Sequence, residues 1–255
     1  MTYCDSHFHL VQSASYESLD SFAGAFDQQG FRGCTCSHSE EEFLRQEALL
    51  LEFGGRLGLK GAFGLHPQNP DLSLAPFLEN LLREKRIDAV GESGFDFFTP
   101  EFRSDRFRQD EAWHISLELS ASYGLPVVIH DRKALDLIFR DAALLKKVPA
   151  ALFHSFAFGP REALAILNHG INAYFSFGKA LLNGNKKSIA CVAELPLERL
   201  LFETDAPYQT LKGEDFTPLG DIRLVYQKAS ELRACPLEEV CSLAERNFSL
   251  VFDRQ

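Results

Sequence analysis

The sequence has no apolar run near the ~20 residues that a membrane-spanning helix needs. Its opening, MTYCDSHFHL, has no basic segment followed by an apolar one. We therefore expect no signal peptide and no membrane contact, and we expect a cytoplasmic location. The six cysteines form no CxxC pair, so neither a disulfide framework nor a zinc ribbon is expected.

Positive charge is also scarce, with 26 basic against 36 acidic side chains and a formal net charge of −10. A protein that follows a duplex along its grooves is usually basic on at least one face. The balance therefore disfavours extended tracking of a duplex. It remains compatible with an enzyme that grips one phosphate through metal ions, because two divalent cations would add about four positive charges locally.

The length of 255 residues fits one (β/α)8 barrel, which typically needs roughly 250. No Pro/Gly/Ser linker, internal repeat or low-complexity tract interrupts the chain. We expect a single domain over residues 1–255. The 45% hydrophobic content, with 23 Phe, supplies an extensive core.

Eight short apolar, β-rich runs alternate with segments of helical periodicity, which is typical of a parallel α/β protein. The predicted class is a single TIM-type barrel; an open, doubly wound sheet is the alternative that periodicity leaves open. The runs are 3–10, 31–37, 60–65, 87–92, 126–130, 150–154, 172–176 and 199–204. The helical segments are 40–52, 74–85, 104–123, 135–145, 161–168, 186–194, 219–233 and 237–248, with Ser104 and Gly124 as predicted caps of the third.

Histidine and acidic residues fall at the C-terminal ends of five of these predicted strands. In barrels that end carries the active site. Each residue alone could be a hydrogen-bonded core residue, but shared placement on separate strands indicates a metal centre. The predicted ligands are His7, His9, Glu92, His130, His154 and Asp205.

His7 and His9 are two apart on a strand, so both imidazoles emerge on one face, toward the barrel axis. Glu92 leaves an apolar strand, where a carboxylate is costly unless it is paired or metal-bound. The flanking Gly91 and Gly94 allow close backbone approach. We predict that Glu92 bridges two cations.

His130 and His154 follow apolar strands and would supply the second cation. Asp205 ends the last strand, where it would bind the first cation and accept a proton from the attacking water. We interpret His66 as a catalytic contact to substrate or transition state, because both cations already have ligands. Glu203 is expected to be a supporting or structural residue.

Three further histidines, His38, His114 and His169, are expected at a helix start or in helix packing, and are excluded from the site. Asp96 is expected to cap a loop. Positive contacts to substrate could come from Arg132, and also from Lys179 and Lys212.

Taken in this order, several motifs resemble the TatD family of metal-dependent deoxyribonucleases, a branch of the amidohydrolase-like TIM barrels. They span nearly the whole chain and read DSHFHL, GLHP, GESGFDF, FRQDEAW, PVVIHDRKA, HSF and LLFETDAPY. The resemblance implies hydrolysis of DNA, often from the 3′ end of single strands, and a link to DNA repair. It also implies one cation on His7, His9, Glu92 and Asp205, and another on Glu92, His130 and His154. Arg132 and Gln109 match further family positions.

The cations would be Mg, Mn or Zn; four imidazole ligands favour Zn, Mn, Fe or Co over Mg on softness grounds. The chain departs from the family after Asp205, where YQTLKGEDFTPLGDI replaces a basic segment containing Asn-Glu-Pro. Two alternatives therefore stay open. One is an amidohydrolase acting on another ester, amide or phosphoester, and the other is a metal-binding barrel without turnover. We expect a monomer.

Overall fold

The computed structural model describes residues 1–253, in which eight parallel strands form one sheet with neighbours in chain order. The strands are β1 Thr2–Phe8, β2 Gly30–Ser37, β3 Leu59–Phe63, β4 Ala89–Asp96, β5 Val127–Arg132, β6 Ala151–Phe153, β7 Ala173–Phe177 and β8 Leu200–Phe202. All eight predicted strands are present, with ends displaced by a few residues. The largest change is in β4, which runs on to Asp96.

The sheet closes between β1 and the chain that leaves β8. The Asp205 N–H donates to the His7 carbonyl at 3.0 Å, and the His9 N–H donates to the Ala206 carbonyl at 2.8 Å. Lower in the seam, the Tyr226 hydroxyl accepts from the Cys4 N–H and donates to the Cys4 carbonyl. The predicted barrel is therefore confirmed, and the open sheet is excluded.

Helices surround the barrel. They are α1 Leu10–Ser13, α2 Leu19–Ala25, α3 Glu40–Leu57, α4 Ala75–Arg83, α5 Pro100–Ser104, α6 Arg106–Tyr123, α7 Leu135–Arg140, α8 Ala142–Leu145, α9 Pro160–Asn168, α10 Lys186–Glu194, α11 Ile222–Arg233 and α12 Leu237–Phe252. Among the described residues, no helix combines the length and apolarity needed to cross a bilayer.

The third predicted helix shows where local signals succeeded and failed. Gly124 ends α6 in the left-handed conformation, with φ +66°, as predicted. Ser104 is not the N-cap: its hydroxyl donates to the Glu101 carbonyl, and α6 begins two residues later. Residues Pro100–Ser104 form a separate short helix, α5, which is capped by Thr99. The prediction had placed Ser104 in the longer helix and the four residues before it in a loop.

The barrel interior is apolar at its N-terminal end and polar at its C-terminal end. Cys4, Val128 and Leu201 fill the lower interior and contact Phe248 and Phe252, so α12 covers that end. The outward-facing strand residues pack against the helical layer; the ring of Phe31 on β2, for instance, lies 5.0 Å from that of Phe22 on α2. Buried polar side chains concentrate at the opposite end, where the predicted site lies.

Candidate metal centre

The Glu92 carboxylate lies at the centre of six imidazole nitrogens. It is 2% exposed, so the contacts are shielded from water. Its Oε1 lies 3.2 Å from His7 Nε2, 3.5 Å from His9 Nε2 and 3.2 Å from His38 Nε2. Its Oε2 lies 2.7 Å from His154 Nε2, 3.3 Å from His130 Nδ1 and 3.5 Å from His66 Nε2.

The two glycines beside Glu92 bring β4 against β5. A Cβ on Gly91 would lie 2.6 Å from the Val128 carbonyl oxygen, and one on Gly94 would lie 2.2 Å from the His130 carbonyl oxygen. Both glycines also have positive φ, +145° and +136°, which other residues rarely adopt. The close approach expected from the sequence is therefore confirmed, and it sets the spacing of Glu92 and His130.

The nitrogens divide into two adjoining ligand sets that share Glu92. On the Oε1 side, His7 Nε2 and His9 Nε2 each lie 3.4 Å from Asp205 Oδ1. On the Oε2 side, His130 Nδ1 and His154 Nε2 are 3.1 Å apart. The structure thus brings all six predicted ligands together around Glu92, and their division between two cations stays a prediction.

The two sets fit divalent cations on physical grounds. Ligands bound tetrahedrally at about 2.0–2.1 Å lie about 3.3 Å from one another, close to the separations between these atoms. His7 Nε2 is buried without a hydrogen-bond partner among the described residues. His130 Nδ1 faces both a carboxylate oxygen and another imidazole nitrogen. Without a proton or a cation between them, the lone pairs of His130 Nδ1, Glu92 Oε2 and His154 Nε2 would repel one another.

Neighbouring groups orient the ligands. Asp96 Oδ2 lies 3.0 Å from His130 Nε2, so the imidazole donates from Nε2 and keeps the Nδ1 lone pair for the centre. Asp96 Oδ1 also accepts from the Phe98 N–H at 2.8 Å, so the predicted loop cap is confirmed beside this second contact. Behind His154, Glu203 Oε1 lies 3.9 Å from Nδ1.

Without metal, the cluster retains protons that a cation would replace. Burial lowers the pKa of His7, but Glu92 and Asp205 together outweigh it and hold that pKa well above its usual value. Burial likewise lowers the pKa of His130, while Asp96 and Glu92 raise it to about 9. For His154, burial and the His7 charge lower the pKa to about 4. Metal binding at neutral pH therefore requires release of protons.

His66 also lies beside Glu92, but its protonation state differs from that of His7 and His130. Burial lowers its pKa to about 3, so the ring is neutral near pH 7. The Gln68 N–H donates to His66 Nδ1 at 3.2 Å, which leaves the proton on Nε2. This Nε2–H, 3.5 Å from Glu92 Oε2, is a donor and not a metal-binding lone pair.

His38 was missed from the sequence. Its ring bridges the Gly64 carbonyl, 3.4 Å from Nδ1, and Glu92 Oε1. With a proton on Nδ1, its Nε2 lone pair points at the first ligand set. A positional signal was present in the sequence, since His38 directly follows β2 as His9 follows β1 and His154 follows β6. The adjacent Ser39 caps α3 by accepting from the Glu42 N–H. This helix-start pattern is the reason that the sequence placed His38 outside the site.

Asp205 is fixed from both sides of the seam. Its Oδ1 faces His7 and His9, and its Oδ2 accepts from Gln209 Nε2 at 2.8 Å. Asp205 and Gln209 both have positive φ, +56° and +54°, a strained conformation for these residues. Asp5, also missed, accepts from the Thr204 N–H and hydroxyl at 3.0 and 2.6 Å and so ties β1 to this turn.

Two of the predicted substrate contacts, Arg132 and Lys212, are exposed at the surface. Arg132 is exposed at the rim, stacked on the Phe98 ring at 4.3 Å, and lines a pocket of about 280 Å³ beside His130 and His154. Lys212 is exposed in the loop after β8. Both remain predictions.

Lys179 takes a different position from the predicted one. Its side chain is fully buried, with Nζ 2.5 Å from Glu214 Oε2 and 2.7 Å from Asp221 Oδ2. This conformation leaves it no surface for a substrate. Both partners lie in residues 207–222, the segment after Asp205 that departs from the family pattern, so Lys179 anchors that segment near the end of β7.

A parallel eight-stranded barrel that gathers histidines and carboxylates at its C-terminal end is the architecture of metal-dependent hydrolases. The family model described as TatD related DNase matches residues 4–253. The chain therefore belongs to the TatD family of metal-dependent hydrolases.

Relatives and solved structures agree with this assignment. The chain is 28% identical over 203 residues to the uncharacterized metal-dependent hydrolase YabD of Bacillus subtilis, covering 75% of this chain and 76% of YabD. It is 34% identical over 155 residues to the 3′-5′ ssDNA/RNA exonuclease TatD of Pantoea ananatis, covering 57% and 56%. The crystal structure of YjjV, a TatD homolog from Escherichia coli, superposes with a TM-score of 0.80 at 25% identity, covering 99% and 98%.

Proposed function

We propose that this hydrolase cleaves phosphodiester bonds of DNA, removing nucleotides from the 3′ ends of single strands with two divalent cations. The observation that carries the proposal is Glu92, whose two oxygens each face a separate set of nitrogens. Two adjoining cation sites with one shared carboxylate are typical of enzymes that displace an oxygen at phosphorus. The Pantoea ananatis relative, named as an exonuclease on single-stranded DNA and RNA, supports the polarity and the substrate.

The proposed first cation is held by His7, His9, Asp205 and Glu92, and the second by Glu92, His130 and His154. When bound, such cations stabilise the attacking and leaving oxygens and lower the pKa of water toward neutrality. The four imidazoles favour Mn or Zn over Mg.

Side chains of the protein would accept the proton of the water and bind the phosphates. The Asp205 carboxylate, held by Gln209, accepts a proton from the attacking water. His66, neutral with its proton on Nε2, donates to a non-bridging phosphate oxygen. Arg132 at the rim would neutralise the adjacent phosphate, because its guanidinium has no carboxylate within 4.0 Å among the described residues. The pocket beside His130 gives the terminal nucleotide a place to enter.

The test uses metal-stripped protein refilled with Mg, Mn or Zn, incubated with single-stranded DNA labelled at its 3′ or its 5′ end. We expect metal-dependent release of the 3′ label as mononucleotide, while the 5′ label shortens one nucleotide at a time. Glu92→Gln removes the bridging charge, and Asp205→Asn removes the proton acceptor. Each should reduce the rate by about a hundredfold or more.

Other outcomes discriminate the alternatives. Two bound metals without cleavage of DNA, together with turnover of an amide, ester or other phosphoester, would favour a different hydrolase substrate selected by the segment 207–222. Metal binding without turnover of any of these would favour a barrel that only binds. Unchanged cleavage in Glu92→Gln would refute the bridging role.

A further inference from the structure

A group of exposed cations and aromatic rings lies beside the metal centre, on the loop after β4, on α5, at the start of α6 and just after β5. Arg103 lies over the Phe97 ring at 5.8 Å, and Arg106 lies over the Phe107 ring at 4.6 Å. Lys133 Nζ lies 4.5 Å from the centre of the Phe98 ring. We call this group the basic–aromatic shelf; it comprises Phe97, Phe98, Arg103, Arg106, Phe107 and Lys133.

The cations of the shelf are open to solvent and to a ligand. Arg103, Arg106 and Lys133 are exposed, and none lies within 4.0 Å of a carboxylate in residues 1–253. Phe107 is 73% exposed, unusual for so large an apolar ring. Since the whole chain carries an excess of acid, a cluster of uncompensated cations on exposed rings marks a surface for an anionic partner.

The shelf encloses a cavity of about 330 Å³. Its lining carries four cations and two carboxylates, Asp110 and Asp136. One of the carboxylates, Asp110, is already paired with the fourth cation, Arg140, at 2.5 Å. The net charge presented by the cavity is therefore positive.

The shelf is continuous with the metal centre. The Phe97 N–H donates to the Arg132 carbonyl at 2.8 Å, which ties the end of β4 to the end of β5. Arg132 lines the pocket of the metal centre, and the next residue, Lys133, lines the cavity of the shelf. Lys133 is three residues beyond His130, so the two Cα atoms are at most about 11 Å apart. A chain-like ligand could occupy both.

We propose that the basic–aromatic shelf binds the part of a nucleic acid single strand that continues beyond the scissile phosphate. This rests on the proposed function. Arg103, Arg106 and Lys133 contact backbone phosphates, with the guanidinium groups held in position by the rings beneath them. The exposed Phe107 ring stacks on a base, an interaction that tolerates any sequence. An acidic peptide would satisfy the cations but offers no flat ring for Phe107.

The test measures binding of a fluorescent oligothymidylate of about 12 nucleotides to the metal-free protein by anisotropy, over a range of KCl concentrations. For a single strand, each lost phosphate contact lowers the slope of log K against log salt by about 0.7. Arg103→Gln/Arg106→Gln should therefore lower the slope by about 1.4. Phe107→Ala should weaken binding about tenfold and leave the slope unchanged.

The matched control is Arg45→Gln/Arg246→Gln, which removes the same charge from exposed arginines of α3 and α12. The control should keep the slope of the unmodified protein. A dinucleotide substrate, too short to reach the shelf, should be hydrolysed equally by all variants, whereas KM for the long oligonucleotide should rise only in the shelf variants.

The outcomes separate this inference from the proposed function. If DNA is cleaved but the salt slope and KM are the same in the shelf and control variants, strand binding by the shelf is refuted and the nuclease activity is supported. Binding that depends on the shelf without cleavage would support the shelf and overturn the nuclease. Displacement of the oligonucleotide by polyglutamate, with no effect of Phe107→Ala, would overturn recognition of a nucleic acid strand.

Discussion

Replacing Tyr226 by Phe would test how the barrel closes. The Tyr226 hydroxyl accepts from the Cys4 N–H at 3.0 Å and donates to the Cys4 carbonyl at 2.9 Å, at the seam of the barrel. Tyr226 and Cys4 are both fully buried, so water cannot replace the lost oxygen. The substitution preserves the ring, which packs against Phe202 at 4.7 Å, and removes only the two hydrogen bonds.

An unsatisfied buried polar group costs about 1–3 kcal/mol. With two such groups and some local relaxation, we expect Tyr226→Phe to lower the free energy of unfolding by about 3 kcal/mol. For a chain of this size that corresponds to a fall in Tm of about 6–12 °C. Urea unfolding and calorimetry of the metal-free protein measure it, because bound cations would add their own stabilisation.

The control is Tyr3→Phe. The Tyr3 ring lies 5.3 Å from that of Tyr226, but its hydroxyl makes no hydrogen bond with the described residues. We expect a change below about 0.5 kcal/mol. Equal effects of the two substitutions would refute the reasoning, because they would show that the hydroxyl of Tyr226 does not satisfy the backbone at the seam.

Two further predictions concern the centre and the thiols. Asp96→Asn removes the carboxylate that accepts from His130 Nε2, so calorimetric titration should show 10–100-fold weaker binding of the second cation; unchanged affinity would mean that packing alone orients the ring. A thiol reagent at pH 8 should react with Cys235 before any other thiol of the native protein, and with all six thiols after unfolding, because the other five are buried. Burial raises the pKa of Cys235 as well, but it raises the pKa of Cys191 and of Cys241 to about 12. A second rapidly reacting thiol would contradict the packing described for the core.

The metal ligands that the sequence predicted share one property, which is their position near the C-terminal end of an apolar strand. That position can be read from local pattern, because parallel strands of a barrel all end on one side. His38 satisfied the same rule and was missed, since Ser39 and the acidic residues after it gave a strong helix-start pattern. The strand-end position of His38 and the helix-start pattern at Ser39 overlap in the sequence. Only the observed distance from His38 Nε2 to Glu92 Oε1 shows that both apply.

Lys179 and Gln209 illustrate what local pattern could not decide. Lys179 lies near the end of β7, where an exposed phosphate contact was a reasonable expectation. Its burial depends on Glu214 and Asp221, which are 35 and 42 residues away. Likewise, the contact of Gln209 with Asp205 depends on the positive φ of both residues. No periodicity encodes such pairings.

The sequence alone predicted the eight strands, their approximate ends, the barrel and six candidate ligands at the strand ends, because each rests on short-range periodicity and on residue chemistry. Tertiary structure alone decided which nitrogen of each imidazole faces the centre and which oxygen of Glu92 each imidazole faces. It also decided that Tyr226 and Asp5 tie the seam and that the three exposed cations of the basic–aromatic shelf lie beside the site. These features depend on contacts between residues far apart in the chain, and closure of the barrel is the physical step that brings those residues together.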